Sequence, residues 1–285
     1  MRIKPTALSR TLLAACLAWW ALAASAHTAP VDAELVLVVD VSKSVSNAEF
    51  GQMMAGLSLS FQSQGVIDAI QSGTTGTLAA SLIFYTGRNN QAVGVDWMVI
   101  SDANSAAAFA LALANASRPF SQKNTSIANA IDYAVPTFGS ETGGPGNGFE
   151  SELQTLFFVG EGVDDHSLLT NGSREETVQN SRDAALLAGV DVISAMTIGG
   201  SGTVDDYFTD NVIGGAAGSN QGTVTNAADF VSLVPALQPT VEQHIGAMPE
   251  PGLAALLGAG ALPLLLGRRR CREGRRVFRR DETTA

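Results

Sequence analysis

The segment from Glu34 to Val41 constrains the fold more than any other part of the chain, because its continuous apolar run, Leu35 to Val39, leads directly into an acid. A strand with so little polar alternation is typical of a parallel sheet whose two faces are both covered. Asp40 stands at the end of this run, and Ser42 and Ser44 follow it at alternate positions. Because an unpaired charge is costly in a core, the Asp40 carboxylate requires a partner. A hard divalent cation with oxygen ligands fits these residue types best.

Segments typical of strands and helices alternate along the rest of the chain. Two apolar runs, 77–85 and 92–100, are joined by a short polar turn, which predicts an antiparallel hairpin. Helices are predicted after Ser46, after Ser101 or Asp102, from Thr125, after Ser173, and over 205–212 and 228–245. Further strands are predicted at 153–159, 191–198 and 222–226, and a glycine-rich loop at 139–148. This order predicts one α/β domain: a doubly wound, mostly parallel central sheet with one antiparallel edge hairpin and helices on both faces.

The beginning of the chain has the features of a secretory signal peptide. Basic residues precede an apolar segment from Thr11 to Ala23, and Ala24-Ser25-Ala26 is typical of a cleavage site. We therefore expect residues 1–26 to be removed and the protein to be exported. Cys16 follows a sequence similar to a lipoprotein box, but the apolar run continues well past it, so we interpret this cysteine as part of the signal peptide.

The end of the chain combines three elements in order. Pro249-Glu250-Pro251 precedes an apolar segment of 16 residues, Gly252 to Gly267, and Arg268 begins an arginine-rich tail. This order resembles the PEP-CTERM sorting signal of Gram-negative bacteria. The resemblance implies that residues 249–285 anchor the protein transiently in the inner membrane. An exosortase-type membrane protease would then process the anchor, and the protein would reach the cell surface or the exterior. The alternative is a permanent C-terminal membrane anchor.

Charge is distributed unevenly between the body of the chain and its ends. Residues 27–267 contain six basic and 24 acidic residues, so their formal net charge is near −18. This charge argues against nucleic acid or an anionic membrane surface as a partner. It favours a soluble exported domain that meets cations, although solubility alone would explain it. Cys16 and Cys271 both lie outside this body, so we expect no disulfide or thiol chemistry in it.

Further oxygen-bearing side chains are predicted at the same edge of the sheet. Thr125 begins a predicted helix, and Glu161 directly follows a predicted strand. Because ligands bind at the carboxyl ends of strands in open parallel sheets, we expect Asp40, Ser42, Ser44, Thr125 and Glu161 to converge on one metal site. Mg²⁺ suits this set, since it favours few carboxylates and keeps several waters. In the simpler alternative, the two serines only cap the loop and Asp40 accepts backbone N–H bonds.

These residues resemble the metal-ion-dependent adhesion site (MIDAS) of the von Willebrand factor type A (VWA) domain. The resemblance extends over 34–245 and implies that residues 27–248 form a VWA-like domain, similar to an uncharacterised group of secreted bacterial VWA-like proteins. The family normally has Asp-Gly where this chain has Glu161-Gly162. We therefore expect an altered or weakened ion preference, which Asp164 or Asp165 in the same loop could compensate.

The resemblance implies an exported surface or extracellular binding module rather than an enzyme. Its cation would be Mg²⁺, with Ca²⁺ or Mn²⁺ as alternatives, and an open coordination position would accept a carboxylate from a protein or an acidic polysaccharide. A structural component of an extracellular matrix without a specific ligand is the second hypothesis, and a metal-dependent hydrolase is the third. No nucleophile elbow, zinc-binding helix or phosphate loop is present. His166, beside Asp164 and Asp165, could serve as a base or an additional ligand, but a solvated loop histidine is the favoured interpretation. We predict no catalytic residue.

Overall fold

The computed structural model describes residues 28–120, 123–169, 172–199, 202–215, 221–229 and 232. The chain divides into two compact units, Met1–Met248 and Pro249–Ala285. The second unit, the predicted signal peptide and most of the predicted helix at 228–245 lie outside the described residues. Within the described ranges, no helix has the length and apolar composition that spanning a bilayer requires.

Strands and helices alternate in the described part of the chain. The elements are β1 (Ala29–Pro30), β2 (Ala33–Asp40), α1 (Asn47–Phe61), α2 (Gln64–Gln71), β3 (Leu78–Tyr85), β4 (Gln91–Ile100), α3 (Ala103–Asn115), α4 (Ile127–Ala134), a 3₁₀ helix (Val135–Thr142), β5 (Phe149–Glu150), β6 (Gln154–Gly160), α5 (Arg174–Ala188), β7 (Val192–Ile198), α6 (Gly202–Asn211), β8 (Gly214–Gly215) and β9 (Val224–Ala227). The predicted glycine-rich loop thus begins as a 3₁₀ helix. Pro136 lacks the N–H that would continue the α4 ladder, so the chain tightens there.

The main sheet has seven strands in the order β4-β3-β2-β6-β7-β8, and β9 also pairs with β7. Strand β2 is parallel to both β3 and β6, and β6 is parallel to β7. The predicted hairpin is confirmed, since β4 runs antiparallel to β3 at the edge of the sheet. A second antiparallel pairing, of β8 with β7, was not predicted, because two glycines carry no strand pattern. Strands β1 and β5 form a separate parallel pair.

Both faces of the sheet are buried, as the apolar run in β2 predicts. Alternate residues Leu35, Leu37 and Val39 belong to one hydrophobic cluster, with side chains from α1, α2 and α3. Val36 and Val38 belong to the other, with side chains from α4, α5 and α6. Successive residues of a strand point to opposite faces, so a strand covered on both faces is apolar throughout. The doubly wound α/β fold predicted from the sequence is confirmed.

Helix starts follow the local sequence signals closely. At α1 the Ser46 hydroxyl accepts from the Glu49 N–H at 3.2 Å and the Glu49 carboxylate accepts from the Ser46 N–H at 2.7 Å, so the two residues form a capping box at the predicted helix start. Helix α3 is capped by Asp102 rather than Ser101. At α5 the Ser173 hydroxyl accepts from the Glu176 N–H at 3.1 Å. These caps fix where each helix leaves the sheet, and hence where the connecting loops lie.

Candidate metal centre

Asp40 ends β2 next to the point where the chain changes direction across the sheet. The connection after β2 leads to β3 on one side, and the chain later returns to β6 on the other. Ligands bind at such switch points, where neighbouring loops part to leave a crevice. The residues that follow β2 and β6 and those that precede α4 meet at this end of the sheet.

The Asp40 side chain is completely buried. Its Oδ1 accepts from the Ser42 N–H at 2.7 Å, and its Oδ2 accepts from the Thr125 hydroxyl at 3.5 Å. Burial, and to a smaller extent the nearby charge of Glu161, raise the pKa of Asp40 to about 6, against the lowering effect of the hydrogen bonds from Ser42 and Thr125. Among the described residues the one ion pair joins Arg182 and Asp183, so Asp40 has no cationic side chain as a partner. The carboxylate is thus buried with incomplete compensation.

Three hydroxyl groups accompany this carboxylate. The Oγ atoms of Ser42 and Ser44 lie 2.9 Å apart, and Thr125 Oγ1 contacts Asp40 directly. Ser42 and Thr125 are buried, whereas Ser44 is exposed, so the group runs from the core to the surface. The simpler alternative, in which Asp40 accepts backbone N–H bonds and the serines cap the loop, is partly correct, because the Ser42 N–H donates to Asp40. Even so, neither serine hydroxyl caps α1, since Ser46 does.

Glu161 is the first residue after β6 and is half-buried. Its charge acts on Asp40, which places it at the same end of the sheet. The glycines on either side keep this region open. A Cβ on Gly160 would lie 3.1 Å from the Asp40 Cβ, and one on Gly162 would lie 3.4 Å from Thr125 Oγ1. Coordination of an ion by Glu161 itself stays a prediction.

Asp164 and Asp165 position Thr125 and α4. The Asp164 Oδ2 accepts from the Ile127 N–H at 2.6 Å and the Ala128 N–H at 3.3 Å, and thereby caps α4 in place of Ser126, whose side chain makes no cap bond. The Asp165 Oδ1 accepts from the Thr125 N–H at 2.7 Å. Both carboxylates accept hydrogen bonds from backbone amides. We therefore assign them a role in positioning Thr125, and not the role of a metal ligand that compensates for Glu161.

Arg118 is a functional residue that the sequence analysis did not single out. Its guanidinium donates to the Val41 carbonyl at 2.7 Å, also bonds the Ser42 carbonyl, and lies 5.9 Å from the centre of the Phe50 ring. It therefore fixes the backbone of the loop that carries Ser42 and Ser44. No local sequence motif predicts this contact, since Arg118 and Val41 are 77 positions apart in the sequence. The scarcity of basic residues in the body was the one available signal.

A buried hydroxyl lies close to Asp40. The Tyr85 OH has no hydrogen-bond partner among the described atoms, and a Cβ on Gly160 would come within 3.4 Å of it. Burial, together with the charges of Asp40 and Asp164, raises the pKa of Tyr85 well above its usual range, so it stays protonated. An unpaired hydroxyl beside a buried carboxylate shows that protein atoms alone do not satisfy this end of the sheet.

The donor set fits a hard cation. In the described part of the chain, no three His, Cys, Asp or Glu side chains cluster closely enough to hold a metal. A cation held at Asp40 would therefore be bound by hydroxyl oxygens beside the carboxylate. Asp40, Ser42, Ser44 and Thr125 offer such oxygens, with water free to fill the remaining positions as Mg²⁺ requires.

His166 braces the hairpin turn. Its Nδ1 accepts from the Arg88 N–H at 3.3 Å, and its own N–H donates to the Thr125 carbonyl at 3.0 Å. The ring nitrogen is thereby engaged by backbone in the turn between β3 and β4. This contact gives His166 a structural role, which weakens the hydrolase hypothesis.

Several solved structures share this fold at low sequence identity. Proximal thread matrix protein 1 from the mussel byssus, with a zinc-occupied MIDAS motif, is 13% identical with a TM-score of 0.51, and the match covers 77% of this chain and 49% of that one. The pilus adhesin SpaC from Lactobacillus rhamnosus GG is 12% identical with a TM-score of 0.52, over 77% of this chain and 31% of that one. The minor pilin PilB from Streptococcus sanguinis is 10% identical with a TM-score of 0.51, over 77% and 62%.

These likenesses show that the described domain has a VWA-like fold. The chain spans less than two thirds of the length of each of these three proteins. No curated protein matches the chain in sequence. A family model does match, over residues 30–235, and the chain therefore belongs to the family described as protein of unknown function DUF1194.

Proposed function

We propose that this chain is an exported, non-enzymatic binding module that holds a divalent cation at Asp40, Ser42, Ser44 and Thr125, with Glu161 completing the site. The cation is Mg²⁺, with Ca²⁺ or Mn²⁺ as alternatives, and it presents an open position to a carboxylate of a partner protein or an acidic polysaccharide. The observation that carries the proposal is the buried Asp40 carboxylate, which contacts Thr125 Oγ1 and forms no ion pair with any residue that the structure describes.

Several features support this assignment. The hydroxyls run from the buried Ser42 to the exposed Ser44, so a cation held there would be reachable from solvent. The strongly acidic body would repel an anionic partner unless a local positive charge attracted it. A bound cation supplies that charge. The similar structures are those of a matrix protein, an adhesin and a pilin, which supports a binding or matrix role for a domain of this fold.

We also propose the cellular route that the two ends of the sequence predict. Residues 1–26 direct export, and residues 249–285 anchor the protein transiently in the inner membrane until an exosortase-type protease releases it to the cell surface or the exterior. The domain between them, 27–248, carries the cation site. Mass spectrometry of the protein from the native cell surface would find both ends missing. An intact C-terminus there would support the permanent anchor instead.

Thermal unfolding with and without cation tests the site. At a cation concentration of about 100 Kd the folded state gains about 2.7 kcal/mol, which raises the Tm of a domain of this size by about 5–10 °C. Asp40→Ala should abolish this increase. Ser44→Ala should reduce it without lowering the Tm in chelator, since the Ser44 side chain is exposed. Asp68→Ala removes an exposed acid from α2 and serves as the matched control.

Binding to the native surface fraction separates adhesion from a matrix role. Saturable binding that is lost in chelator and in Asp40→Ala would support adhesion. Association that does not saturate, falls with salt and is unchanged in Asp40→Ala would support the structural matrix component, which the acidic body fits equally well. An unchanged Tm on addition of each of the three cations would overturn the proposal itself.

A further inference from the structure

A second recess lies away from the candidate metal centre, between the edge strand β4 and the α4–3₁₀ segment. Its volume is about 530 Å³, and its lining includes Asp96, Trp97, Asp132, Tyr133, Pro136 and Asn147. None of the five candidate cation ligands lines it. We call this recess the edge cleft. A cleft of this size with aromatic walls and a few polar groups has the composition of a ligand site.

The walls of the edge cleft are held in place by contacts within the domain. The Trp97 ring packs against Phe138 and Phe149, with ring centres 5.9 and 6.2 Å apart. Its Nε1 donates to the Thr137 carbonyl at 3.1 Å, and Asn147 donates to the same carbonyl at 3.3 Å. Because these side chains are fixed before any ligand arrives, binding would cost little ordering entropy.

The charged residues that line the edge cleft are all acidic. Asp96 and Asp132 both line it, and no lysine or arginine does. Asp96 is exposed and forms no ion pair with any described residue. Trp97 and Tyr133 add aromatic rings, whose faces attract cations, while Val93 and Pro136 add apolar surface. A group with a positive head and an apolar stem is complementary to all of these features.

Strand β4 also provides a place for an extended chain. It is the terminal strand of the sheet and pairs only with β3 among the described strands. Val93 and Val99 on this strand are 44% and 38% exposed. An open edge of this kind can pair with an added strand, whose side chains then reach neighbouring pockets.

We propose that the edge cleft binds a basic side chain, lysine or arginine, presented by an extended segment of a partner protein along β4. The ammonium or guanidinium group lies between the two carboxylates and the aromatic rings, and the stem packs on Val93 and Pro136. The edge cleft is independent of the cation site at Asp40. It would bind a positively charged group of a partner, whereas the cation site would bind a negatively charged one.

Tryptophan fluorescence provides a direct test. The chain has three tryptophans, Trp19, Trp20 and Trp97, so Trp97 alone remains in a full chain that carries Trp19→Phe and Trp20→Phe. The probe is Nα-acetyl-lysine N-methylamide, and the same compound acetylated on its side-chain nitrogen is the neutral control. We expect the charged probe to change the emission saturably and the neutral one to bind at least about tenfold more weakly.

Matched variants separate the cleft from general electrostatic attraction. Asp96→Asn should weaken the charged probe about fivefold, whereas Asp68→Asn, which removes the same charge on the other face of the sheet, should leave the affinity unchanged. Asp40→Ala should also leave it unchanged, which keeps this result distinct from the cation test. Equal affinity for the two probes, equal losses in the two Asn variants, or an absence of saturation would each overturn the proposal. So would saturable binding of a neutral cello-oligosaccharide without a response to the lysine probe, which would assign the cleft to carbohydrate.

Discussion

Glu34 and Asp40 stand at opposite ends of β2, and both side chains are completely buried. Burial raises the pKa of both, to about 7 for Glu34 and about 6 for Asp40. Their surroundings differ. Glu34 accepts from Asn147 and, at 3.0 Å, from Ser151, and a second carboxyl, Glu141, lies beside it. Asp40 instead lies beside hydroxyl oxygens whose lone pairs are available to a cation.

The difference shows that a buried carboxylate does not by itself indicate a metal site. At the Glu34 end the partners are a side-chain amide, a hydroxyl and another acid, and a proton can neutralise the pair. At the Asp40 end Ser42, Ser44 and Thr125 can all donate lone pairs to a cation. The oxygen atoms nearby, rather than the degree of burial, distinguish the two ends of the strand.

Asp164→Ala should have the largest effect, because it removes another buried carboxylate, which accepts from several backbone amides and from the Ser167 hydroxyl. Helix α4 would lose its cap and the loop its anchor, so we expect a loss of about 3–4 kcal/mol in the free energy of unfolding. Urea denaturation would measure it. Asp165→Ala, which removes one bond to Thr125, should cost about 1 kcal/mol. Equal losses would show that the cap is not the main role of Asp164.

Asp40→Asn and Glu34→Gln contrast the two ends of β2 directly. Each removes a buried charge and keeps a side chain of similar shape. We expect Asp40→Asn to lose the cation-dependent stabilisation of about 2–3 kcal/mol and Glu34→Gln to keep it. Differential scanning calorimetry with Mg²⁺ or chelator measures both. If Glu34→Gln also lost the effect, the two ends would not be distinct, and the assignment to Asp40 would fail.

The Glu34 carboxyl should make the free energy of unfolding depend on pH. The pKa of this carboxyl rises from 4.5 to about 7 on folding, so the native state holds the proton more tightly. Its contribution is therefore complete below pH 4.5 and is lost as the pH rises towards and through 7, by up to about 3 kcal/mol. Glu34→Gln should flatten this slope when chelator is present. An unchanged slope would place the titrating group elsewhere.

Arg118→Ala should have a smaller effect, confined to the Asp40 end. The guanidinium holds the Val41 and Ser42 carbonyls, and loss of such a supporting contact typically weakens metal binding about tenfold. Arg118→Lys should restore little, since a single ammonium cannot reproduce the planar fork. Calorimetric titration with Mg²⁺ would show the change. Full affinity in Arg118→Ala would mean that the loop holds its shape without the arginine.

Much of the fold was predictable because it depends on local patterns. The strand predicted at 34–41, the helix starts at Ser46 and at Ser101 or Asp102, and the hairpin around residue 88 each carry their signal within a few residues. The 3₁₀ helix at Val135–Thr142 and the pairing of β8 were not predicted. Their residues have little propensity of their own, and neighbouring elements decide their conformation.

The candidate site was predictable in its residue types but not in its supports. Spacing alone selected Asp40, Ser42 and Ser44, and the structure places the Thr125 hydroxyl on Asp40. Two adjacent acids in the loop looked equivalent as spare ligands, yet Asp164 caps α4 and Asp165 holds the Thr125 amide. No sequence pattern separates these roles, because each depends on which backbone amide the fold brings near.

The sequence by itself determined that a strand buried on both faces would end in an acid, and that oxygen-bearing side chains would follow it at alternate positions. Side-chain periodicity and the cost of a buried charge are local properties, so they can be read from the order of residues. Only the tertiary structure decided which groups meet that acid, because Thr125, Arg118 and Asp164 reach it or its loops from distant parts of the chain. The same packing brought Trp97 and Tyr133 together at the edge cleft. Contacts of this kind follow from the way the strands and helices pack, and no local pattern encodes them.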